Sequence, residues 1–237
     1  MKRKLICALD TGDLTEARET VRKLAPYVGA FKIGHALTLN YGLDVVERIK
    51  ELGAERVFLD LKFHDIPNTV GRAVREAAKH GVWMMTLHIS GGPAMVTAAV
   101  EEAKFHGADK APLLVGVSVL TSLDQHVLSD HLGVTRTVEQ HVVYLSKLAV
   151  DLGLDGVVCS VHEVAAVREA IGHKVIVTPG IRPSHGERQD QQRVGDARSA
   201  FDAGSDYLVI GRALTSTDDP LKALKDLGLE SEEWQTA

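Results

Sequence analysis

The stretch RVFLDLKFHD, residues 56–65, is an apolar run of strand length that ends in alternating charges. Seven further apolar runs of strand length occur along the chain, and amphipathic segments of helical period lie between most of them, for example 14–24, 43–52, 69–80, 93–105 and 138–152. The predicted strands are residues 5–10, 30–34, 56–62, 83–89, 112–120, 156–160, 174–180 and 207–211. Eight strands joined by crossovers predict an α/β fold, the closed (β/α)₈ or TIM barrel. An open doubly wound sheet is the competing arrangement, but neither GxGxxG nor GxxxxGK[ST] occurs.

Length and charge are typical of one such domain. The chain has 237 residues, 27 basic and 32 acidic, with a net charge of −5. We therefore expect one barrel domain over residues 1–237. An acidic balance disfavours nonspecific binding to nucleic acid or anionic membranes. No apolar stretch approaches the roughly 18 residues of a membrane span, and the N-terminal apolar run is too short for a signal peptide. These observations predict a cytoplasmic protein.

The cysteines and one long polar segment complete this outline. Cys7 and Cys159 lie inside apolar runs, which favours two buried, reduced thiols. No Cys/His cluster has metal-ligand spacing, so no metal is predicted. The long irregular stretch at about 182–193 follows the seventh strand, and a loop of this length in a compact domain is usually a lid or a disordered spacer.

Charged side chains interrupt the apolar runs where the first three predicted strands end. They are Asp10, Lys32, Asp60, Lys62 and, just beyond, Asp65. Because a strand alternates its faces, Asp60 and Lys62 share one face, while the leucines between and before them face the helices. Carboxyl ends of barrel strands form one rim, so the charges are predicted to converge at the mouth of the barrel. A structural salt-bridge network is the alternative interpretation.

A second group of residues fits a phosphate. Gly211 and Arg212 follow the eighth predicted strand, where a glycine allows close approach and an arginine fork matches phosphate geometry. Gly180 and Arg182 follow the seventh strand on the same side, and phosphate sites recur there in such barrels. An ordinary glycine turn with a surface arginine is the alternative.

The run DLKFHDIPNT, residues 60–69, resembles the signature of the orotidine 5′-phosphate decarboxylase family. Further similar segments follow in the family's order over about residues 5–220: LD (9–10), FKIG (31–34), LTS (120–122), TPGIR (178–182), DQQRV (190–194) and GSDYLVIGR (204–212). The chain resembles the short bacterial form. One departure is Gly195-Asp196, where the family often has Thr-Pro.

The resemblance implies an activity and roles for the matching residues. The reaction would convert orotidine 5′-phosphate to uridine 5′-phosphate and CO₂, the last step of de novo pyrimidine synthesis, without a cofactor. Lys62 would stabilise the carbanion at C6 and protonate it, and Asp60 would lie against the substrate carboxylate. Lys32 would hold a ribose hydroxyl and orient Asp60, and Asp10 would bind the ribose.

The remaining implied roles concern the base, the phosphate and a second subunit. Thr121 and Ser122 would contact the base. Asp65 and Thr69 would reach into the neighbouring subunit's site, which implies a homodimer with shared sites. The phosphate would be held by Pro179, Arg182, Gln191, Gly211 and Arg212, with the lid closing over it.

Two other functions remain open from the residues. A related Mg²⁺-dependent sugar-phosphate decarboxylase or aldolase shares the Asp-x-Lys-x-x-Asp core, but it has an acidic residue where Lys32 stands. A noncatalytic barrel that binds nucleotide phosphates would need Gly211 and Arg212 but not Asp60 and Lys62.

Overall fold

A computed structural model describes residues 1–182 and 195–229. In these residues eight parallel strands close into a barrel in chain order, so the predicted (β/α)₈ fold is confirmed. The strands are β1 (Leu5–Leu9), β2 (Ala30–Ile33), β3 (Val57–Phe63), β4 (Met84–His88), β5 (Leu113–Val117), β6 (Gly156–Val158), β7 (Val175–Thr178) and β8 (Tyr207–Ile210). Each strand begins and ends within three residues of its predicted bounds.

Helices cover the outside of the barrel. They are α1 (Leu14–Leu24), α2 (His35–Tyr41), α3 (Val45–Glu51), α4 (Pro67–Ala78), α5 (Pro93–Ala103), α6 (Val138–Asp151), α7 (Val164–Ile171), α8 (Ala197–Asp202), α9 (Arg212–Thr215) and α10 (Pro220–Asp226). Short 3₁₀ turns occur at Lys2–Lys4, Ile89–Gly91, Ala108–Lys110 and Val161–Glu163, and a π turn at Val127–His131. None of the helices in the described ranges combines the length and apolarity needed to cross a bilayer.

The strands are apolar because both of their faces are buried. Every residue of β1 is buried. One set of side chains fills the barrel interior, including Phe58, Met84 and Val115, and a larger set packs between the strands and the helices. Parallel strands covered in this way read as continuous apolar runs. A packed interior leaves the strand ends as the place for chemistry.

The helix predicted over residues 43–52 corresponds to α3, and α2 precedes it as a further helix that the sequence did not predict. Helix α2 ends at its C-cap Gly42, which has φ +67°, and α3 begins at Val45. In α2 Leu37 is buried, whereas Leu39 is 82 % exposed. The apolar period of α2 is therefore too weak to be recognised from sequence.

Candidate active site

A cavity of about 210 Å³ opens at the carboxyl ends of the strands. Asp10, Lys32, Asp60 and Lys62 line it from the ends of β1, β2 and β3. Apolar residues of the later strands line it as well, including Val117, Val158 and Val177. The cavity therefore combines charged side chains on neighbouring strands with an apolar surface from β5 to β7.

The four charged side chains form one continuous array. The Lys32 Nζ lies 3.0 Å from Asp10 Oδ1 and 3.5 Å from Asp60 Oδ2. The Lys62 Nζ lies 2.8 Å from the same Asp60 Oδ2. The side chains of Lys32 and Asp60 are largely buried, Lys62 is about one-third exposed, and Asp10 is open to solvent at the rim. Opposite charges thus alternate from the rim into the cavity.

Lys62 has an unusual backbone. It is the one non-glycine residue with positive φ, at 49°, in residues 1–182 and 195–229. The pairing of β3 with β4 shifts register between Leu59 and Phe63, so the chain bulges at this point. A bulge redirects a side chain. Lys62 lies within β3, but its backbone departs from regular strand geometry, and its ammonium faces Asp60.

Thr86 of β4 joins the array, and the sequence interpretation missed it. Its hydroxyl donates to Asp60 Oδ1 at 2.8 Å and accepts the Lys62 backbone N–H at 2.9 Å. Thr86 also lines the cavity. The available signal was a lone hydroxyl in the apolar run WMMTLHI, residues 83–89.

The pKa values of the array reflect its mutual pairing. Burial alone would raise the pKa of Asp60, but the charges of Lys32 and Lys62 and the bonds from Lys62 and Thr86 outweigh it and lower that pKa. Burial alone would lower the pKa of Lys32, but the charges of Asp60 and Asp10 outweigh it and raise that pKa. Both side chains are therefore held in their charged forms.

The residues predicted for the base and phosphate are only partly brought together. Thr121, Pro179, Arg182, Gly211 and Arg212 line the same cavity as the charged array. Ser122 is exposed and is not among the lining residues. Gln191 lies outside the described residues, as does the lid segment apart from Arg182.

Gly211 lies close to the charged array. A Cβ at this position would approach Asp10 Oδ2 to 3.4 Å and Ala8 Cβ to 3.7 Å. Gly211 also directly precedes α9, whose first residue is Arg212. Gly211 therefore lies between Asp10 at the rim of the cavity and the start of this helix.

Asp65 and Thr69 do not join the cavity of their own chain. Both are exposed, Asp65 in the loop after β3 and Thr69 in the first turn of α4. The Asp65 carboxylate accepts the N–H of Ile66 at 2.6 Å. The structure thus separates these two residues from Asp60 and Lys62, although they follow within the same ten-residue motif.

Gly195 and Asp196, where the sequence departs from the family pattern, are well anchored. Gly195 donates to the Gly180 carbonyl and accepts from the Arg182 N–H, which forms a parallel bridge to Ile181. The Asp196 side chain caps α8 by accepting the Ser199 N–H at 2.9 Å. The departure therefore preserves a hydrogen-bonded link beside Arg182.

Comparison with known proteins gives concordant matches. The orotidine 5′-phosphate decarboxylase / HUMPS family model matches residues 3–227. The chain is 46 % identical over 226 residues to orotidine 5′-phosphate decarboxylase of Pseudoalteromonas translucida, covering 95 % of both chains. It is 48 % identical over 226 residues to that of Syntrophotalea carbinolica, covering 94 % of this chain and 92 % of the relative.

A solved structure of similar shape agrees with these matches. The crystal structure of orotidine 5′-phosphate decarboxylase from Lactobacillus acidophilus superposes with a TM-score of 0.82 at 33 % identity. The match covers 98 % of this chain and 99 % of that one. Fold, motif and near-complete coverage thus agree, and the chain belongs to the orotidine 5′-phosphate decarboxylase / HUMPS family.

Proposed function

We propose that this protein is an orotidine 5′-phosphate decarboxylase, a carboxy-lyase that forms uridine 5′-phosphate and CO₂ at the end of de novo pyrimidine synthesis. The observation that carries the proposal is the Lys32–Asp60–Lys62 array inside the strand-end cavity of a chain from this family. The names and coverage of the relatives support the same activity.

The reaction requires stabilisation of charge at a ring carbon. When the bond from C6 to the carboxylate breaks, CO₂ leaves and the electron pair stays on C6. A prepositioned ammonium in a cavity with apolar walls stabilises such a charge, and Lys62 supplies it. Lys62 Nζ then gives its proton to C6 and is reprotonated from solvent. These steps need no cofactor.

The other members of the array would prepare this step. Asp60, paired with Lys62 at 2.8 Å, holds the ammonium beside C6 and lies against the substrate carboxylate. Lys32 orients Asp60 and binds a ribose hydroxyl, and Asp10 binds the ribose at the rim. Ground-state crowding of the two carboxylates would add less than the ammonium does.

The remaining residues would bind the rest of the nucleotide. Thr121 and Ser122 contact the base. The phosphate is held by Pro179, Arg182, Gln191, Gly211 and Arg212, and the lid at about 182–193 closes over it. The phosphate is remote from the broken bond, so its binding energy can position the ring.

The proposal extends to the assembly and its location. The whole chain would act as one catalytic domain in the cytoplasm. Two copies would form a homodimer in which Asp65 and Thr69 complete the neighbouring site, which agrees with their exposure outside their own cavity. Neither nucleic acid nor a membrane is expected as a partner.

The Mg²⁺-dependent alternative is disfavoured by one side chain. Lys32 occupies the position where that enzyme class needs an acidic residue, and its ammonium lies 3.5 Å from Asp60. A cation in this position repels a divalent metal. The noncatalytic alternative does not require the Lys32–Asp60–Lys62 array that the cavity contains.

The activity is tested by adding purified, chelator-treated protein to orotidine 5′-phosphate and following the loss of its absorbance. We expect turnover without added metal, and Lys62→Ala should abolish it while still binding uridine 5′-phosphate in calorimetry. Absence of turnover in the wild-type protein, or near-normal turnover by Lys62→Ala, would contradict the proposal. Turnover only with Mg²⁺ would favour the alternative enzyme class.

A further inference from the structure

Thr86 is buried at the centre of the barrel wall, next to the charged array. It is 1 % exposed and pairs with Val115 of β5. A β-branched side chain in such a position has little rotameric freedom. The hydroxyl is therefore a fixed group rather than an adaptable one.

The bulge of β3 takes Lys62 out of the regular β3–β4 pairing, and the Thr86 hydroxyl accepts the hydrogen bond of the Lys62 backbone N–H. Leu59 pairs with Met85 and Phe63 pairs with Leu87, so the three residues 60–62 of β3 lie opposite the single residue Thr86 of β4. A bulged residue loses its ladder partner, and a buried N–H without an acceptor is costly. The Lys62 N–H donates to Thr86 Oγ1 at 2.9 Å and thus keeps its hydrogen bond in the left-handed conformation.

The same hydroxyl orients the carboxylate of Asp60. The Thr86 proton goes to Oδ1, while both lysine ammonium groups approach Oδ2. A hydroxyl has one proton and free lone pairs, so it can serve Asp60 and Lys62 at once without conflict. The two bonds link the backbone of Lys62 to the side chain with which its ammonium pairs.

We propose that Thr86 is a positioning residue, whose hydroxyl fixes Lys62 and Asp60 relative to each other for proton delivery at the strand-end cavity. The inference rests on the proposed decarboxylase function. It assigns Thr86 no contact with the reacting atoms. Its effect arises because a small displacement of a reacting group is costly in rate.

The test compares a variant without the hydroxyl with one that keeps it. Thr86→Val preserves shape but cannot bond, and we expect kcat to fall about tenfold to a hundredfold while KM stays within about threefold. Thr86→Ser keeps the hydroxyl, and we expect kcat within about threefold of wild type. Equal losses in both variants, or normal turnover by Thr86→Val, would overturn the inference.

A pH readout separates positioning from a general packing defect. In the described residues, the charged or titratable groups facing Asp60 are Lys32 from β2, Lys62 from β3 and His88 from β4, and Asp10 pairs with Lys32. None of these groups is itself substituted in the variants. Loss of the Thr86 bond should raise the pKa of Asp60, so the acid limb of the pH–rate profile should move to higher pH in Thr86→Val and not in Thr86→Ser.

Failure of the inference can be distinguished from failure of the proposed function. Carbon-13 NMR titration of the Asp60 carboxyl needs no turnover, and we expect a higher pKa in Thr86→Val than in wild type or Thr86→Ser. An unchanged titration in Thr86→Val refutes the positioning role even if the enzyme is active. If Thr86→Val does not fold, Thr86→Ala replaces it, because Ala and Ser both lack the methyl group and differ in the hydroxyl.

Discussion

Lys62 combines a side chain of the charged array with an unfavourable backbone conformation. A non-glycine residue in the left-handed region costs about 1–2 kcal/mol, and Lys62 adopts φ 49°. The bond to Thr86 and the ion pair with Asp60 hold it there. Such strain is concentrated at functional sites, where the surrounding structure overcomes it. At this residue, therefore, the local cost of the backbone conformation accompanies the placement of the ammonium beside Asp60.

This strain predicts an unusual order of stability. We expect Lys62→Gly to unfold with a free energy about 0.5–1 kcal/mol higher than Lys62→Ala, because glycine relieves the left-handed strain but costs more backbone entropy. Both variants lack the ammonium, so its loss cancels in the comparison. Urea denaturation of the two variants measures the difference. A more stable alanine variant would show that the backbone strain is small or relaxes.

At the scale of secondary-structure elements, the charged array lies at the carboxyl ends of the strands, and a different set of contacts lies at their amino ends. At the amino ends of the strands, the Arg56 guanidinium lies 4.1 Å from the centre of the Trp83 ring, and Trp83 packs edge-on against Tyr207. Arg56 also donates to the carbonyls of Arg3 and Gly29. These contacts tie the starts of several strands together, on the side away from the charged array.

We therefore expect substitution of Arg56 to lower the stability of the fold without lowering catalytic activity. We expect Arg56→Ala to lower the free energy of unfolding by about 1–2 kcal/mol, since it removes a cation–π contact and two hydrogen bonds. Arg56→Lys keeps the charge but not the planar fork, so a smaller loss is expected. Thermal unfolding measures stability, and kcat should stay near wild type. A large fall in kcat in folded Arg56→Ala would show that the two ends are coupled.

At the scale of the whole molecule, the net charge conceals the local pattern. The chain carries a net charge of −5, yet Lys32, Lys62, Arg182 and Arg212 line one cavity. Asp65 and Thr69 of the same motif face outward. This division agrees with the proposed homodimer, in which each chain supplies residues to its neighbour's site.

Sharing of sites predicts complementation between inactive variants. When Lys62→Ala and Asp65→Ala proteins are mixed and allowed to exchange subunits, half of the dimers are mixed, and each mixed dimer has one intact site. We expect about a quarter of wild-type activity. A mixture of Lys62→Ala with Asp60→Ala is the matched control and should stay inactive, because both residues belong to one chain's site. No recovery in the first mixture would argue against shared sites.

Much of the fold and part of the site follow from sequence for a simple reason. Strands buried on both faces must be apolar, so their number and order are visible along the chain. Charges such as Asp60 and Lys32 interrupt these runs, and the parallel ends meet at one rim. Helix α2 was not predicted because Leu37, its buried apolar residue, does not make a periodic pattern.

By itself the sequence determined the barrel, the strand ends that carry charge and the family motif, because these depend on composition and order along the chain. Only the tertiary structure decided that β3 bulges, that Lys62 is left-handed and that Thr86 joins Asp60 to Lys62. These features depend on the register between β3 and β4. Register is set by packing across the whole barrel, and an isolated hydroxyl in an apolar run does not indicate which carboxylate it will meet.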